Sequence, residues 1–198
     1  MTQKLLIATT NAGKRDEYRA LLAALPFEIV ALTDVGLGEM DVDETGTTFF
    51  ENALLKARAY QAASGLITLA DDSGIVVDAL GGAPGVYSAR YAPTVAERNA
   101  KLLAALDATA PEQRTARFMC IIAVLTPKQT LIVGEGKVEG RIAYAPRGTF
   151  GHGYDPVFEL PDGRTMAELP QDEKNTLSHR GRALANIYPL LAVLGDLG

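Results

Sequence analysis

The chain has 198 residues, 47% of them hydrophobic and 22% charged, with a formal net charge of -5. One cysteine and two histidines exclude a disulfide framework and a zinc cluster, and the acidic balance makes a poor non-specific binder of nucleic acid. The longest apolar run, residues 118–125, falls far short of the ~20 residues a membrane helix needs. The opening residues carry no signal-peptide pattern. The expectation is a single cytoplasmic domain over residues 1–198, with no membrane or nucleic-acid partner.

Residues 4–9 form a short apolar run before Asn11-Ala12-Gly13 and predict a buried strand. Tyr18, Leu21, Leu22 and Leu25 then fall on one face of a helix over residues 14–25, which Pro26 closes. Residues 27–32 predict a second strand. Thr48 and Glu51 make a capping box for a helix carrying Ala53, Leu54 and Ala57 and stopping before Gly65. Strands over residues 66–70 and 75–80 flank Asp71-Asp72-Ser73-Gly74. Thr94 and Glu97 make a second capping box, with Leu102, Leu103 and Leu106 on the buried face that follows. Strands over 116–125 and 130–133, joined around Pro127-Lys128, predict an antiparallel pair. Leu184, Ile187, Leu191 and Leu194 mark a last amphipathic helix, which Pro189 should kink or interrupt. Early alternation of strands and helices with a later hairpin predicts an α/β fold with a mixed sheet, its chemistry on loops at strand ends.

Four segments carry chemistry. Thr9-Thr10-Asn11-Ala12-Gly13-Lys14 lies between a strand and a helix, where unpaired N–H groups, hydroxyls and a lysine suit a phosphate. It is not a Walker A loop, and the plainer reading is a polar turn capped by Thr10 or Asn11. Asp41, Asp43 and Glu44 precede one helix, and Asp71-Asp72 follow a strand. Mg²⁺ takes one or two carboxylates from a protein, although acids near a helix start also serve its macrodipole. In residues 148–156, three glycines allow close approach to a ligand, with Phe150, His152 and Tyr154 as stacking surfaces or as core. Lys174-Asn-Thr-Leu-Ser-His179-Arg180 is cationic and donor-rich, a phosphate or base reader or a solvated helix face. Together the four describe a Mg-nucleotide site.

Six blocks in order resemble the inosine triphosphate pyrophosphatase family: residues 9–14, 44–53, 69–74, 81–91, 153–156 and 178–181. The resemblance spans about residues 4–194 and implies an α/β fold with an elongated mixed β-sheet flanked by helices, two lobes and an active-site cleft between them. It implies a homodimer that uses Mg²⁺ to hydrolyse ITP, dITP and XTP to the monophosphate and pyrophosphate. Thr9, Thr10, Asn11, Ala12, Gly13 and Lys14 would hold the triphosphate, with Lys14 as its cation. Asp72 would be general base and metal ligand, with Ser73 touching the substrate. The second metal carboxylate falls at Asp43 or Glu44, with Glu44 favoured. His152, Gly153, Tyr154, Asp155, Lys174, His179 and Arg180 would surround the nucleotide, and Lys56 would reach the phosphates. A donor to the purine O6, such as Arg180 or a backbone N–H, would reject ATP. One departure stands out: the family usually has Phe-Gly-Tyr-Asp, whereas His152 takes the phenylalanine's place here. The competing readings are a pyrophosphatase for modified pyrimidine or standard nucleotides, and a non-catalytic purine nucleotide sensor.

Overall fold

A computed structural model describes residues 2–196. Its strands are β1 (Gln3–Ile7), β2 (Phe27–Ala31), β3 (Ile67–Val77), β4 (Thr115–Leu125), β5 (Leu131–Ile142) and β6 (Phe158–Glu159). They form one sheet in the order β2-β1-β3-β4-β5-β6. β1 runs parallel to β2 and β3, and β5 runs antiparallel to β6, so the sheet is mixed. The helices are α1 (Ala12–Leu22), α2 (Phe49–Ser64), α3 (Val95–Ala105), α4 (Gln171–Leu177) and α5 (His179–Asp196). Among the described residues, no helix is long and apolar enough to cross a membrane. The chain divides into two compact units. Among the described residues, the first holds 2–72, Cys120–Gly136 and 180–196; the second holds Ser73–Met119 and Lys137–His179.

In the first unit the period-two alternation of strands sorts residues onto two faces. Leu5 and Ile7, Ile67 and Leu69, and Cys120, Ile122 and Val124 share one core with Tyr18 and Leu22 of α1 and Ala183, Leu184, Ile187 and Leu191 of α5. Leu6 and Ala8, Ala70, and Ile121, Ala123 and Leu125 share another with Ala53, Ala57 and Tyr60 of α2. Both capping boxes form as the sequence predicts. Thr48 opens α2 with Glu51 reaching back, and Thr94 opens α3 with Glu97. Gly65 closes α2 in the left-handed conformation, at φ 67°.

The second unit has its own core, in which Ile75 and Val77, Leu102 and Leu106, Phe118, Val138 and Phe158 are buried together. Arg114 ties this unit together as a buried clamp. Its guanidinium donates to the carbonyls of Leu106, Ile142 and Ala143 at 2.7–2.9 Å.

Four local expectations are corrected. β3 runs unbroken through Asp71-Asp72-Ser73-Gly74, and residues 78–80 form a 3-10 turn instead of strand. Turn propensity yields there because the sheet supplies hydrogen bonds and nearby cations compensate the acids. α1 stops at Leu22, and Leu25 reaches the core from the turn that follows. β5 extends to Ile142 through Gly134, Gly136 and Gly140, which read as breakers in isolation. At Gly134 the missing side chain is what the packing needs, because a Cβ there would collide with the Ala183 carbonyl of α5. Of the two outcomes expected at Pro189, interruption does not occur: α5 stays helical through it, with the proline on the exposed side.

Candidate active site

The turn between β1 and α1 is built by its own side chains. Asn11 caps α1 by accepting from the Lys14 N–H at 3.1 Å, and Thr9 Oγ1 accepts from the Asn11 N–H at 3.2 Å. Thr10, Asn11, Ala12 and Gly13 are exposed, while Lys14 is half-buried. The exposed N–H groups of a helix start are suited to an anion. Lys14 Nζ lies 2.9 Å from Asp71 Oδ2.

Because successive strand residues point to opposite faces, Asp71 and Asp72 enter different environments. Asp71 faces α1 and α5, where Lys14 donates to it, the Arg180 Nε lies 3.5 Å away and the Cys120 thiol lies 3.9 Å away. Burial alone would raise its pKa, but Lys14, Arg180 and Lys56 reverse that and hold the carboxyl well below the usual range. Arg180 in turn donates to Glu17 at 2.5 Å, and burial and the Asp71 charge push the Cys120 thiol up to about 12. Asp72 faces α2. Its Oδ2 accepts from Asn52 Nδ2 at 3.1 Å, and its Oδ1 lies 3.8 Å from Lys56 Nζ. Here burial wins over Lys56 and Lys14, with Glu44 adding to it, and the Asp72 pKa is raised. A buried carboxylate with a raised pKa is suited to accepting a proton.

Of the two candidates for a second carboxylate, Glu44 stands beside Asp72's partner: its Oε1 accepts from Lys56 Nζ at 2.5 Å, while Asp43 is exposed. Burial would lower the Lys56 pKa, but Asp71, Asp72 and Glu44 raise it instead. Asn52 fixes this corner. Its Oδ1 accepts from the Gly46 N–H at 2.8 Å while its amide donates to Asp72, so one fully buried side chain ties the Glu44 segment to the carboxylate. Sequence reasoning missed Asn52 and Glu17. Each is a polar residue inside a helix, next to an apolar stripe, and that is the signal each left.

The donor set of this corner fits Mg²⁺. With all groups ionised, Glu44 and Asp72 face Lys56, two negative charges against one positive. The ammonium of Lys56 already lies between Glu44 and Asp72, marking a place where a cation is favoured. Among the described residues no group of three His, Cys, Asp or Glu side chains is placed to hold a metal. Two carboxylates suffice for Mg²⁺, which takes its other ligands from water and phosphate.

The remaining candidates belong to the second unit, apart from Arg180, which lies in the first. Ser73 is half-buried. His152 is exposed, and its N–H donates to Asp155 Oδ2 at 2.8 Å. The same oxygen accepts from Lys174 Nζ at 2.5 Å, and both partners are almost fully buried. Gly151 makes this possible, because a Cβ there would overlap Asp155 and Lys174, and its φ is +81°. Tyr154 is a core residue and no stacking surface, 4% exposed, with its hydroxyl donating to the Ser88 carbonyl at 2.8 Å. Gly153 takes φ +66° between them. His179 stacks on Phe118 with centroids 4.8 Å apart and is buried. The reading of residues 174–180 as a solvated helix face is overturned, since Lys174, His179 and Arg180 are all buried.

A family model described as the Ham1 family matches residues 5–190. A protein named dITP/XTP pyrophosphatase from Symbiobacterium thermophilum is 52% identical over the full length of both chains. One of the same name from Bacillus subtilis is 46% identical, covering 96% of this chain and 97% of its own. Among solved structures, a HAM1 protein from Coxiella burnetii superposes with a TM-score of 0.86 at 42% identity, covering 98% of this chain and 99% of the other. A nucleoside-triphosphatase / dITP/XTP pyrophosphatase from Mycobacterium abscessus gives 0.76 at 44% identity, covering 96% and 100%.

Proposed function

The chain belongs to the Ham1 family, and on that premise we propose that it hydrolyses ITP, dITP and XTP to the nucleoside monophosphate and pyrophosphate. It is an enzyme, a hydrolase of phosphorus anhydride bonds, as its relatives' names support. The observation that carries the reaction is Asp72: a buried carboxylate of raised pKa, aimed by Asn52 and paired loosely with Lys56.

Asp72 accepts a proton from a water whose oxygen attacks the α-phosphorus. The bond from that phosphorus to the bridging oxygen breaks, and its electron pair leaves with pyrophosphate. Lys14 and the exposed N–H groups at the start of α1 meet the negative charge of the phosphates. Glu44 and Asp72 are the residues that would hold Mg²⁺, which supplies charge neutralisation on phosphate oxygens when bound. Lys56 steadies both carboxylates at the same corner.

Rejection of ATP rests on the acceptor at O6, which ITP and XTP present and ATP does not; guanine shares that acceptor, so rejection of GTP rests on its 2-amino group. Arg180 here donates to Glu17 and sits beside Asp71, so donating to a purine O6 would require it to exchange those partners. The loop carrying His152 supplies an exposed imidazole ring for reading the base. A cytoplasmic homodimer is part of this proposal, and light scattering on the purified protein tests the dimer.

The reaction is tested by product analysis with Mg²⁺ and, separately, ITP, XTP, GTP, ATP and dTTP. IMP or XMP with pyrophosphate, and GTP and ATP nearly untouched, is the expected result. Orthophosphate as product, or preference for dTTP, would overturn it.

A further inference from the structure

In the second unit, the loop of residues 148–155 is gripped from three directions. The N–H groups of Thr149 and Phe150 donate to the Ala167 carbonyl at 3.0 and 2.9 Å. Asp155, held by Lys174, accepts from the His152 N–H. From α3, Asn99 Nδ2 donates to the Gly153 carbonyl at 3.1 Å.

Asn99 is an unfavourable choice for its position on stability grounds. It lies one turn before Leu102 on the buried side of α3, and only 5% of it is exposed. Asparagine is a poor helix former, and its Oδ1 is buried with no hydrogen-bond partner among the described residues. A half-satisfied buried amide costs stability, whereas an apolar side chain there would continue the stripe of Leu102 and Leu106. What asparagine supplies, and an apolar residue does not, is the bond to Gly153. Gly153 has no side chain, so its carbonyl is the natural handle by which a neighbour orients it. The direction of the amide is also determined: a half-turn would set Oδ1 against the Gly153 carbonyl oxygen.

We infer that Asn99 is a positioning residue which, through Gly153, orients the His152-Gly153 segment and so sets the discrimination between purine bases. Base discrimination by this segment rests on the proposed function; the hold of Asn99 on the loop does not.

The test compares the full-length enzyme with Asn99→Asp, which keeps the shape and replaces the donor by an acceptor, and Asn99→Leu, which removes both polar atoms. In both variants the KM for ITP rises about tenfold, the order of one lost hydrogen bond, while kcat changes little. The ratio of kcat/KM for ITP over GTP falls, and amide hydrogen exchange at residues 152–154 speeds up in the absence of nucleotide. Asn99→Leu keeps the wild-type urea midpoint or exceeds it. An unchanged ITP-over-GTP ratio, or unchanged loop exchange, overturns the inference. So does a loss of activity that only follows a lowered urea midpoint, since that is packing alone. Wild-type enzyme that releases no pyrophosphate from ITP overturns the proposed reaction instead, and loop exchange then decides the role of Asn99 by itself.

Discussion

Asp71 and Asp72 are consecutive in β3 yet serve opposite faces of the sheet: Lys14 is 2.9 Å from Asp71 Oδ2, and Asn52 is 3.1 Å from Asp72 Oδ2. Burial raises the pKa of both. Close cations overturn that for Asp71, whereas Asp72 has its cation at 3.8 Å and Glu44 nearby. One of the pair thereby stays ionised to lower pH than an ordinary aspartate, and the other takes up a proton at higher pH.

A proton acceptor must be ionised to work, so kcat/KM falls as pH drops through the Asp72 pKa. That limb is expected above the 3.8 of an ordinary aspartate. Glu44→Gln removes a like charge and should move the limb to lower pH, and Lys56→Met removes a cation and should move it higher. Asp72→Asn should cost about 10²–10⁴-fold in turnover, with an unchanged urea midpoint or a higher one. A pH–rate profile of pyrophosphate release checks all three; near-wild-type turnover in Asp72→Asn would remove it as the base.

Asp71 has the opposite sign. Its folded pKa lies below the unfolded value, so its contribution to stability is fully present above the unfolded value near 3.8 and is lost as pH falls toward the folded pKa. Asp71→Asn leaves Lys14 and the buried Arg180 with one anion fewer, at an expected cost of about 3–5 kcal/mol at neutral pH. Urea unfolding at a series of pH values should show that difference shrinking below about pH 4, the ordinary carboxylate range. A difference independent of pH would mean that charge is not its source.

Gly46 touches the site only through its backbone, but a Cβ there would lie 2.6 Å from Asn52 Oδ1 and 2.6 Å from Glu51 Cβ. Gly46→Ala must therefore push the 44–46 segment outward, breaking its bond to Asn52 and drawing Glu44 from Lys56. Overpacking of this kind costs about 1–3 kcal/mol. The more telling effect is a higher Mg²⁺ concentration for half-maximal activity. A Mg²⁺ titration of pyrophosphate release that matched wild type would separate Glu44 from metal binding.

Lys174 and Asp155 form a buried ion pair, and the two halves should not be equivalent to their sum. Lys174→Met strands the Asp155 charge and should cost about 3–5 kcal/mol, whereas Lys174→Met with Asp155→Leu should come close to wild-type stability. The double variant still loses the acceptor for the His152 N–H, so its KM for ITP should rise although its urea midpoint recovers. A stable double variant with wild-type KM would show that the loop does not depend on this anchor.

The local elements with strong signals were readable from the residues. The capping boxes at Thr48 and Thr94 and the stop at Gly65 depend on neighbours within one or two turns, and all formed. β3 and β5 were misjudged where Asp, Ser and Gly carry turn propensity, because what sustains those strands comes from distant segments: cations from α1 and α5, and the close passage of Ala183 at Gly134.

The residues named for the site came from the order of the motifs along the chain and from their resemblance to a family. Composition excluded a disulfide framework and a zinc cluster, and motif order pointed to the nucleotide chemistry. The family resemblance singled out Asp72 over Asp71 without a physical reason visible along the chain, and nothing there pairs Glu17 with Arg180 or Asn99 with Gly153. Those assignments depend on which face a strand residue takes and on what lies across from it, at separations of 163 residues for Glu17 and Arg180 and 54 for Asn99 and Gly153. The sequence by itself determined the chemical groups and the local elements, because these depend on near neighbours; the tertiary structure alone decided which carboxylate has its pKa lowered by close cations and which has it raised by burial, because burial and charge act through space.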